Sequence, residues 1–502
     1  MRRRATSVIL PFALAGLLAV VLLLPAAAAA YAPYRVPAHV PPVHSAHVRE
    51  LLRGSRLTNS QGWIVVSLSC GPFRVGFQNG FLTAQSTHYS ILSLLGARGT
   101  AYRAMSRRVA RVVWAKVPRE YRLELRGLAD GLHAAGYPRD NVWDVVASND
   151  WADQDCYKRL LHGGARTAAL AAPPRASLLR KGAKGGCSAF IASGTATADG
   201  MPVMGHNTWA GYQYSFQNNV LYYVHPTHGY AFSFQSSGGQ IWSGEDWYEN
   251  SAGVLLTETT LADTGYKPQG LPVFVRAREA AQYASTVQQC VDTLRTHSNG
   301  AYSNEWLMGD STGTIASLQL GCRQYDLNVT RNGFFGSSNF DWGPNTRSEE
   351  GDIADPYRPA VVDYARYLRW GQLAAQYDGT IDAAVGRAME SDTYDSYLGA
   401  QHPDARCLCG EPERKTPGLR RWDDWVYEPC GALDAKVTTE AMALDGLQQW
   451  ARWGHPSGDA FDAAAFLRHH PSWRKDNGRF ELFGLRTFAR QTPNDWTLVG
   501  GL

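Results

Sequence analysis

Between Gly163 and Gly186 the chain reads GGARTAALAAPPRASLLRKGAKGG, small, basic and without aromatics. Such a stretch buries too little surface to order itself and is open to proteases. It also divides two unlike halves. Residues 45–160 read mainly as helix, with apolar residues at three- and four-residue spacing over 78–95, 102–116 and 120–135. Gly136-Tyr137-Pro138 stops the third of these, and Asp140 or Asn141 can cap the next. After Gly186 the pattern turns to strands: 187–194, a turn at Asp199-Gly200, 201–208, then 219–224, 230–235, 253–259, 305–308 and 314–320. A helix is expected over 273–296, and helix again from beyond Pro356 to Tyr377. Helices, then antiparallel hairpins, then helices imply an α+β protein whose sheets are covered by helical layers. The stretch 163–186 is then either an interdomain linker or a propeptide joint.

The N-terminus carries the marks of export. Arg2, Arg3 and Arg4 precede an apolar stretch over 8–25, and residues 26–30 are all alanine, as a signal peptidase requires. Cleavage after Ala30 is expected, which places the protein outside the cytoplasm, secreted or periplasmic, or in a lysosome-like compartment of a eukaryotic host. No other segment approaches the ~20 apolar residues of a membrane span. Without residues 1–30 the chain holds 46 Lys+Arg against 45 Asp+Glu. That near-neutral balance, with no basic block, argues against nucleic acid as a partner. Asn328-Val329-Thr330 fits a glycosylation acceptor, expected on a loop.

Eight cysteines remain: Cys70, Cys156, Cys187, Cys290, Cys322, Cys407, Cys409 and Cys430. Oxidising surroundings would pair them as four disulfides. Cys407 and Cys409 are too close to bridge each other without strain, so one of them pairing with Cys430 is the easier geometry. No Cys/His spacing resembles a zinc site, His469-His470 reads as a solvated helix end, and nothing calls for a metal or cofactor.

Gly185-Gly186-Cys187-Ser188 places a nucleophile where the flexible stretch meets a strand. Glycine leaves its carbonyl unshielded and permits the backbone geometry that attack by a neighbouring side chain needs. The Cys187 thiol can add to the Gly186 carbonyl, take over the acyl group and release it by hydrolysis. The product is a cysteine whose own α-amine, with an ordinary pKa near 7.7–8.0, can act as general base.

Residues 187–209, CSAFIASGTATADGMPVMGHNTW, resemble the segment after the mature cysteine in the phospholipase B-like proteins. More distantly they are similar to the cysteine acylases and amidases that include penicillin V acylase, bile salt hydrolase and acid ceramidase. Three features follow in the same order: Gly205-His206-Asn207-Thr208-Trp209 with Tyr212, SAGVLLTETT at 251–260, and GAYSNEWLMGD at 300–310. The likeness covers 186–342 well and the rest in layout only.

This resemblance implies an N-terminal-nucleophile (Ntn) hydrolase fold, a four-layer αββα sandwich of two antiparallel sheets with a helical N-terminal region. With the expected signal peptide over 1–30, it divides the chain into a helical fragment over 31–162, a processed linker over 163–186 and a catalytic fragment over 187–502. The two fragments would stay associated after cleavage between Gly186 and Cys187. By position Cys187 matches the nucleophile, His206 and Trp209 the active-site histidine and tryptophan, Thr259 or Thr260 a threonine lining the site, and Asn339 the oxyanion-hole asparagine. The substrate would bear an acyl ester or amide, in a small molecule or a lipid. An acyltransferase or N-acyl amide hydrolase on the same fold is the nearer alternative. A non-catalytic secreted binding protein, with Cys187 in a disulfide, is the other. Bile salt hydrolases and acid ceramidases place an arginine and an aspartate near His206 and Trp209, and this chain has neither. That leaves no evident cation at the hairpin, with Arg331 and Arg347 as candidates to replace it.

Overall fold

The computed structural model describes residues 40–96, 98–154, 156–158, 186–212, 219–261, 265–350, 357–419, 427–473, 490–491 and 494–500. The expected signal peptide over 1–30 and the linker up to Gly185 lie outside the described residues.

The N-terminal part opens on a hairpin, β1 (Arg56–Ser60) and β2 (Trp63–Cys70), which the helical reading of residues 45–160 passed over. Trp63-Ile64-Val65-Val66 is a continuous apolar run because β2 is buried on both faces. Helices follow at Pro72–Leu82, Thr100–Trp114, Arg119–Ala134 and Val142–Asn149. The last begins on a capping box: Asn141 accepts from the Trp143 N–H, while Asp144 accepts from the Asn141 N–H. Helices Pro72–Leu82 and Arg119–Ala134 touch backbone to backbone through Gly76, Gly80, Gly127 and Gly131. A Cβ at Gly76 would lie 1.8 Å from the Glu124 carbonyl oxygen, so only glycine permits this approach.

Beyond Gly186 come β3 (Ser188–Ser193), β4 (Val203–Gly211), β5 (Val220–Pro226), β6 (Phe232–Ser236), β7 (Trp247–Asn250) and β8 (Leu255–Thr260). Next are β9 (Asn304–Gly309), β10 (Ile315–Leu320), β11 (Tyr325–Thr330) and β12 (Gly333–Ser337). β13 (Tyr394–Asp395) and β14 (Ala400–Gln401) form a short ribbon, followed by β15 (Cys430–Thr439) and β16 (Gln449–Trp453). β17 (Phe461–Asp462) pairs with β18 (Arg490–Gln491), and β19 (Thr497–Val499) comes last. The expected helix over 273–296 is two, Val273–Tyr283 and Val287–Arg295, because Thr286 caps the second by accepting from the Gln289 N–H.

Nine strands make one sheet in the order β1-β2-β5-β6-β7-β8-β9-β10-β11, and six make the other in the order β12-β3-β4-β15-β16-β19. Every pair is antiparallel except β2 with β5. Those two can run parallel because a long stretch of chain separates them. Alternation along the strands sorts side chains between layers. Trp63, Val65, Leu221 and Tyr223 of the large sheet meet Leu433, Ala451 and Trp453 of the small one. Ala189, Ile191 and Met204 likewise meet Trp247, Leu255, Leu307 and Ile315. The outer face of the large sheet, through Ile64, Val66, Tyr222, Phe234 and Leu256, packs on helices through Leu125, Leu128, Val273 and Val291. The outer face of the small sheet, through Phe190, Ala192 and Val437, packs on Trp370, Leu373 and Met389. The molecule is therefore a four-layer αββα sandwich.

Cys70, Cys187, Cys290, Cys407 and Cys409 are free thiols. Cys407 donates its S–H to the Asp404 carbonyl at 3.1 Å and Cys409 is also free, so neither makes the expected bridge to Cys430. Asn328 lies exposed in the edge strand β11 rather than in a loop. Among the described residues no helix is long and apolar enough to cross a membrane.

Candidate active site

Strand register brings the site together. Cys187 sits just before β3, whose partner pairs are Ser188 with Asn207 and Ala189 with His206 on β4. On the other side Ala189 faces Ser337 of β12, so continuing the antiparallel register two residues brings Asn339 opposite Cys187. The contact is made: the Cys187 backbone N–H donates to Asn339 Oδ1 at 2.9 Å. Asn339 holds a left-handed φ of 65°, a conformation asparagine tolerates better than most residues. Its Nδ2 donates to the Thr260 carbonyl at 2.8 Å, which leaves one N–H of the amide uncommitted.

Both threonines support this loop. Thr259 Oγ1 lies 2.5 Å from Ser337 Oγ and accepts from the Asn339 N–H at 3.4 Å. Thr260 Oγ1 lies 2.6 Å from the Tyr302 hydroxyl. Trp209, on β4, turns its backbone N–H toward the Cys187 thiol. Its ring packs so closely under Gly410 that a Cβ there would come within 2.1 Å of it.

The cation missing from the hairpin comes from the helix Val362–Gln376. Arg366, fully buried, donates from Nη1 to the Cys187 carbonyl at 2.7 Å and from Nη2 to Asn339 Oδ1 at 3.0 Å. Asp363 neutralises it at 2.7 Å, and its guanidinium lies 4.4 Å over the Trp209 ring. The two arginines proposed for this place are elsewhere. Arg331 donates to the Thr312 carbonyl on the surface, and Arg347 donates to the Trp342 carbonyl and stacks on Tyr357. Arg366 is 179 residues from Cys187, and its one mark in the sequence, shared with Arg369, is a charge on the helix face that buries Val362, Ala365, Trp370 and Leu373.

Two acids complete the surroundings. Asp246, between β6 and β7 with a φ of 61°, puts Oδ2 4.0 Å from the Cys187 sulfur. Glu258, on β8 between Thr257 and Thr259, is the neighbouring buried carboxyl, close enough that its ionisation and that of Asp246 oppose each other. Burial raises both carboxyls: Asp246 to about 6, and Glu258 well above the carboxylate range with the neighbouring Asp246 charge adding to the rise. The pair therefore keeps one proton, on Glu258, and presents the Asp246 carboxylate to the thiol. Burial and then Asp246 push the Cys187 thiol well above its ordinary value, so it is neutral at rest.

His206 is buried and held far below its ordinary pKa, first by burial and then by the Lys436 charge. Its Nε2 faces the Glu258 carbonyl at 3.1 Å, which assigns the ring proton to Nε2, and Nδ1 lies 3.4 Å from Thr208 Oγ1. It is a neutral ring tying β4 to β8. Lys436, paired with Asp434 at 2.6 Å, donates to Thr208 Oγ1 at 2.8 Å and braces the same row from β15.

Donor atoms of Cys187, His206 and Asp246 lie within 4.8 Å of one another, as do those of Glu411, Glu413 and His455. These are the sets of described residues with a spacing that a metal ion would accept, and the first is the nucleophile's own surroundings.

The phospholipase B family model matches residues 103–317. That span contains Cys187, His206, Trp209, Asp246, Glu258, Thr259 and Thr260, while Asn339 and Arg366 lie beyond it. An uncharacterized protein of Archaeoglobus fulgidus is 25% identical over 275 residues, 52% of this chain and 43% of that one. Putative phospholipase B-like 1 of Caenorhabditis elegans is 30% identical over 112 residues, 21% of this chain and 20% of that protein. The matched parts thus span less than half the length of these curated relatives. Among solved structures, a mutant conjugated bile acid hydrolase from Clostridium perfringens aligns over 53% of this chain and 88% of its own, at 12% identity and a TM-score of 0.31. The resemblance read from the ordered segments holds: this chain is similar to the phospholipase B-like proteins.

Proposed function

We propose that the protein is an exported Ntn hydrolase that cuts itself between Gly186 and Cys187 and then cleaves acyl ester or amide bonds through a Cys187 acyl-enzyme. The observation that carries this reading is the cradle of the Cys187 main chain. Asn339 Oδ1 accepts from its nitrogen and Arg366 donates to its carbonyl, at the point where the Gly-rich stretch ends. A structural cysteine needs no such hold on its backbone. A residue about to become a chain terminus does, because its amine must stay beside its own thiol.

Before cleavage the Cys187 nitrogen is an amide and cannot act as base. Asp246 takes the thiol proton in this reading, and the sulfur adds to the Gly186 carbonyl carbon. The Gly186–Cys187 C–N bond breaks as the nitrogen takes up a proton. Water then hydrolyses the Gly186 thioester, leaving a Gly186 carboxylate and the free thiol. In turnover the new α-amine, still held by Asn339, takes the thiol proton, the sulfur attacks the acyl carbon and the leaving group departs with that proton. Water releases the acid. The uncommitted Asn339 N–H is the donor for the oxyanion, and one such donor is typically worth ~3–4 kcal/mol.

After cleavage the fragments would be held by the seven-residue β2–β5 pairing and by the buried Arg278–Glu124 ion pair at 2.8 Å. The family match supports a lipid as the acyl bearer, while the dry, neutral thiol suits esters and amides alike.

A panel of p-nitrophenyl acyl esters and acyl p-nitroanilides tests the reaction class. The processed protein should release chromophore from at least one series. Asn339→Ala should fold and cut that turnover by about 10²-fold or more. No release from any member, with Cys187 mature, contradicts the proposal.

A further inference from the structure

A second site lies on the far side of β9 from the nucleophile. Leu320, at the end of β10, is paired with Asn304 of β9, which pairs in turn with Thr260 of β8. Leu320 therefore stands two strands from Thr260, roughly 10 Å across the sheet. Around it opens a cleft of about 340 Å³, within the range of small-molecule sites (~300–1,000 Å³).

The cleft has a buried floor and a cationic rim. Ser298, Leu320, Gly321 and Cys322 are buried, while Lys267, Arg295, His297 and Arg323 stand exposed around them. These four come from three separate places: the loop after β8, the end of the helix Val287–Arg295, and the β10–β11 turn. Like charges from separate elements repel one another, so gathering them costs stability unless an anion joins them.

Among the described residues the rim is only partly neutralised. Among the described residues no ion pair engages Lys267 or Arg323, and Arg295 reaches Asp292 only at 3.8 Å with both side chains substantially exposed. Among the described residues Glu349 also stands at the rim, accepting from the Arg323 backbone N–H at 2.9 Å, which sets one negative charge against three permanent cations. The Arg295 guanidinium lies 4.6 Å over the Tyr325 ring, a stack that fixes its plane while leaving its N–H edge free to donate. The positive φ of His297, 56°, turns the chain sharply at the rim.

We propose that this cleft binds a phosphate ester, with Lys267, Arg295 and Arg323 on its oxygens and the Tyr325 ring beside its organic part. Three permanent cations suit a dianion better than a carboxylate, and a guanidinium fork matches phosphate geometry. The site shares no residue with the Cys187 cradle and does not depend on the catalytic reading. The same chemistry is offered by a soluble phosphomonoester and by the headgroup of a lipid.

Calorimetric titration of the full protein with glycerol 3-phosphate, beside sedimentation with phosphatidylglycerol and phosphatidylcholine vesicles, separates these sources. The expected result is saturable binding that weakens about tenfold or more in Lys267→Ala/Arg323→Ala, with a ligand-free melting temperature equal to or above the parent's. Cys187→Ala should bind as the parent does. Saturation by glycerol 3-phosphate assigns a soluble ester. Capture by phosphatidylglycerol vesicles alone, lost in the double variant, assigns the lipid headgroup. Equal affinity in parent and double variant, or no saturable binding to either probe, overturns the site.

Discussion

Two buried acid pairs in this protein have the same physics and different company. Asp150 and Asp153, before the Gly-rich stretch, share the dry interior with Lys116, Arg276 and Asn299. Burial raises both, Asp153 to about 6, and Asn299 donates to Asp153 at 2.7 Å. Asp246 and Glu258 are raised by burial in the same way, with Asp246 also near 6. The first pair faces cations and an amide that only need an acceptor. The second faces a neutral thiol that must lose a proton to react. A perturbed carboxyl marks a working site only when something beside it has a proton to give.

Substitution can break that comparison. Asp246→Asn keeps the shape of the site and removes the base, and should slow self-cleavage by about 10²-fold or more. Asp153→Asn, with the same change in charge, should leave cleavage unaltered. Equal rates for the two, followed by gel shift after synthesis in a cell-free system, would show that the acid beside the thiol plays no part. The cleavage rate of the parent should also rise as pH rises through about 6, where Asp246 ionises, and then level.

A smaller effect should appear alike in both regions. Each acid binds its proton more tightly folded than unfolded, since its ordinary value is 3.8 and its folded value about 6. The native state thus holds more protons between those values, and stability falls as pH rises from about 4 to about 6. Asp341, also near 6, and Asp404, near 7, act in the same direction. Asp153→Asn and Asp246→Asn should each flatten that slope in urea unfolding curves. A slope unchanged by either would mean that the carboxyl is ionised throughout.

The two regions also differ in how far they could be read from sequence. The β3–β4 hairpin, Cys187, His206 and Trp209 were legible because they lie within 23 residues and carry an ordered pattern. Asn339, in the loop Ser337-Ser338-Asn339-Phe340, was expected at the site only through the family resemblance. Asp246 and Arg366 were not legible, because the first reaches the thiol through a left-handed backbone and the second reaches the Cys187 carbonyl from a helix that the chain supplies much later. Their residue types announce nothing until the fold puts them beside Cys187. The same holds for β2, whose apolar run gave no alternation, and for β15, where buried Asp434 and Lys436 interrupt the strand pattern. In each case the missing information is which groups tertiary structure leaves facing one another.

Everything in the account of the Cys187 region turns on one peptide bond. Mass spectrometry of the denatured protein, with N-terminal sequencing of its fragments, reads that bond directly. Two fragments, the second beginning at Cys187, with Cys187→Ala remaining a single chain, are the predicted result. An intact wild-type chain, or a cut that persists in Cys187→Ala at the same bond, would contradict it.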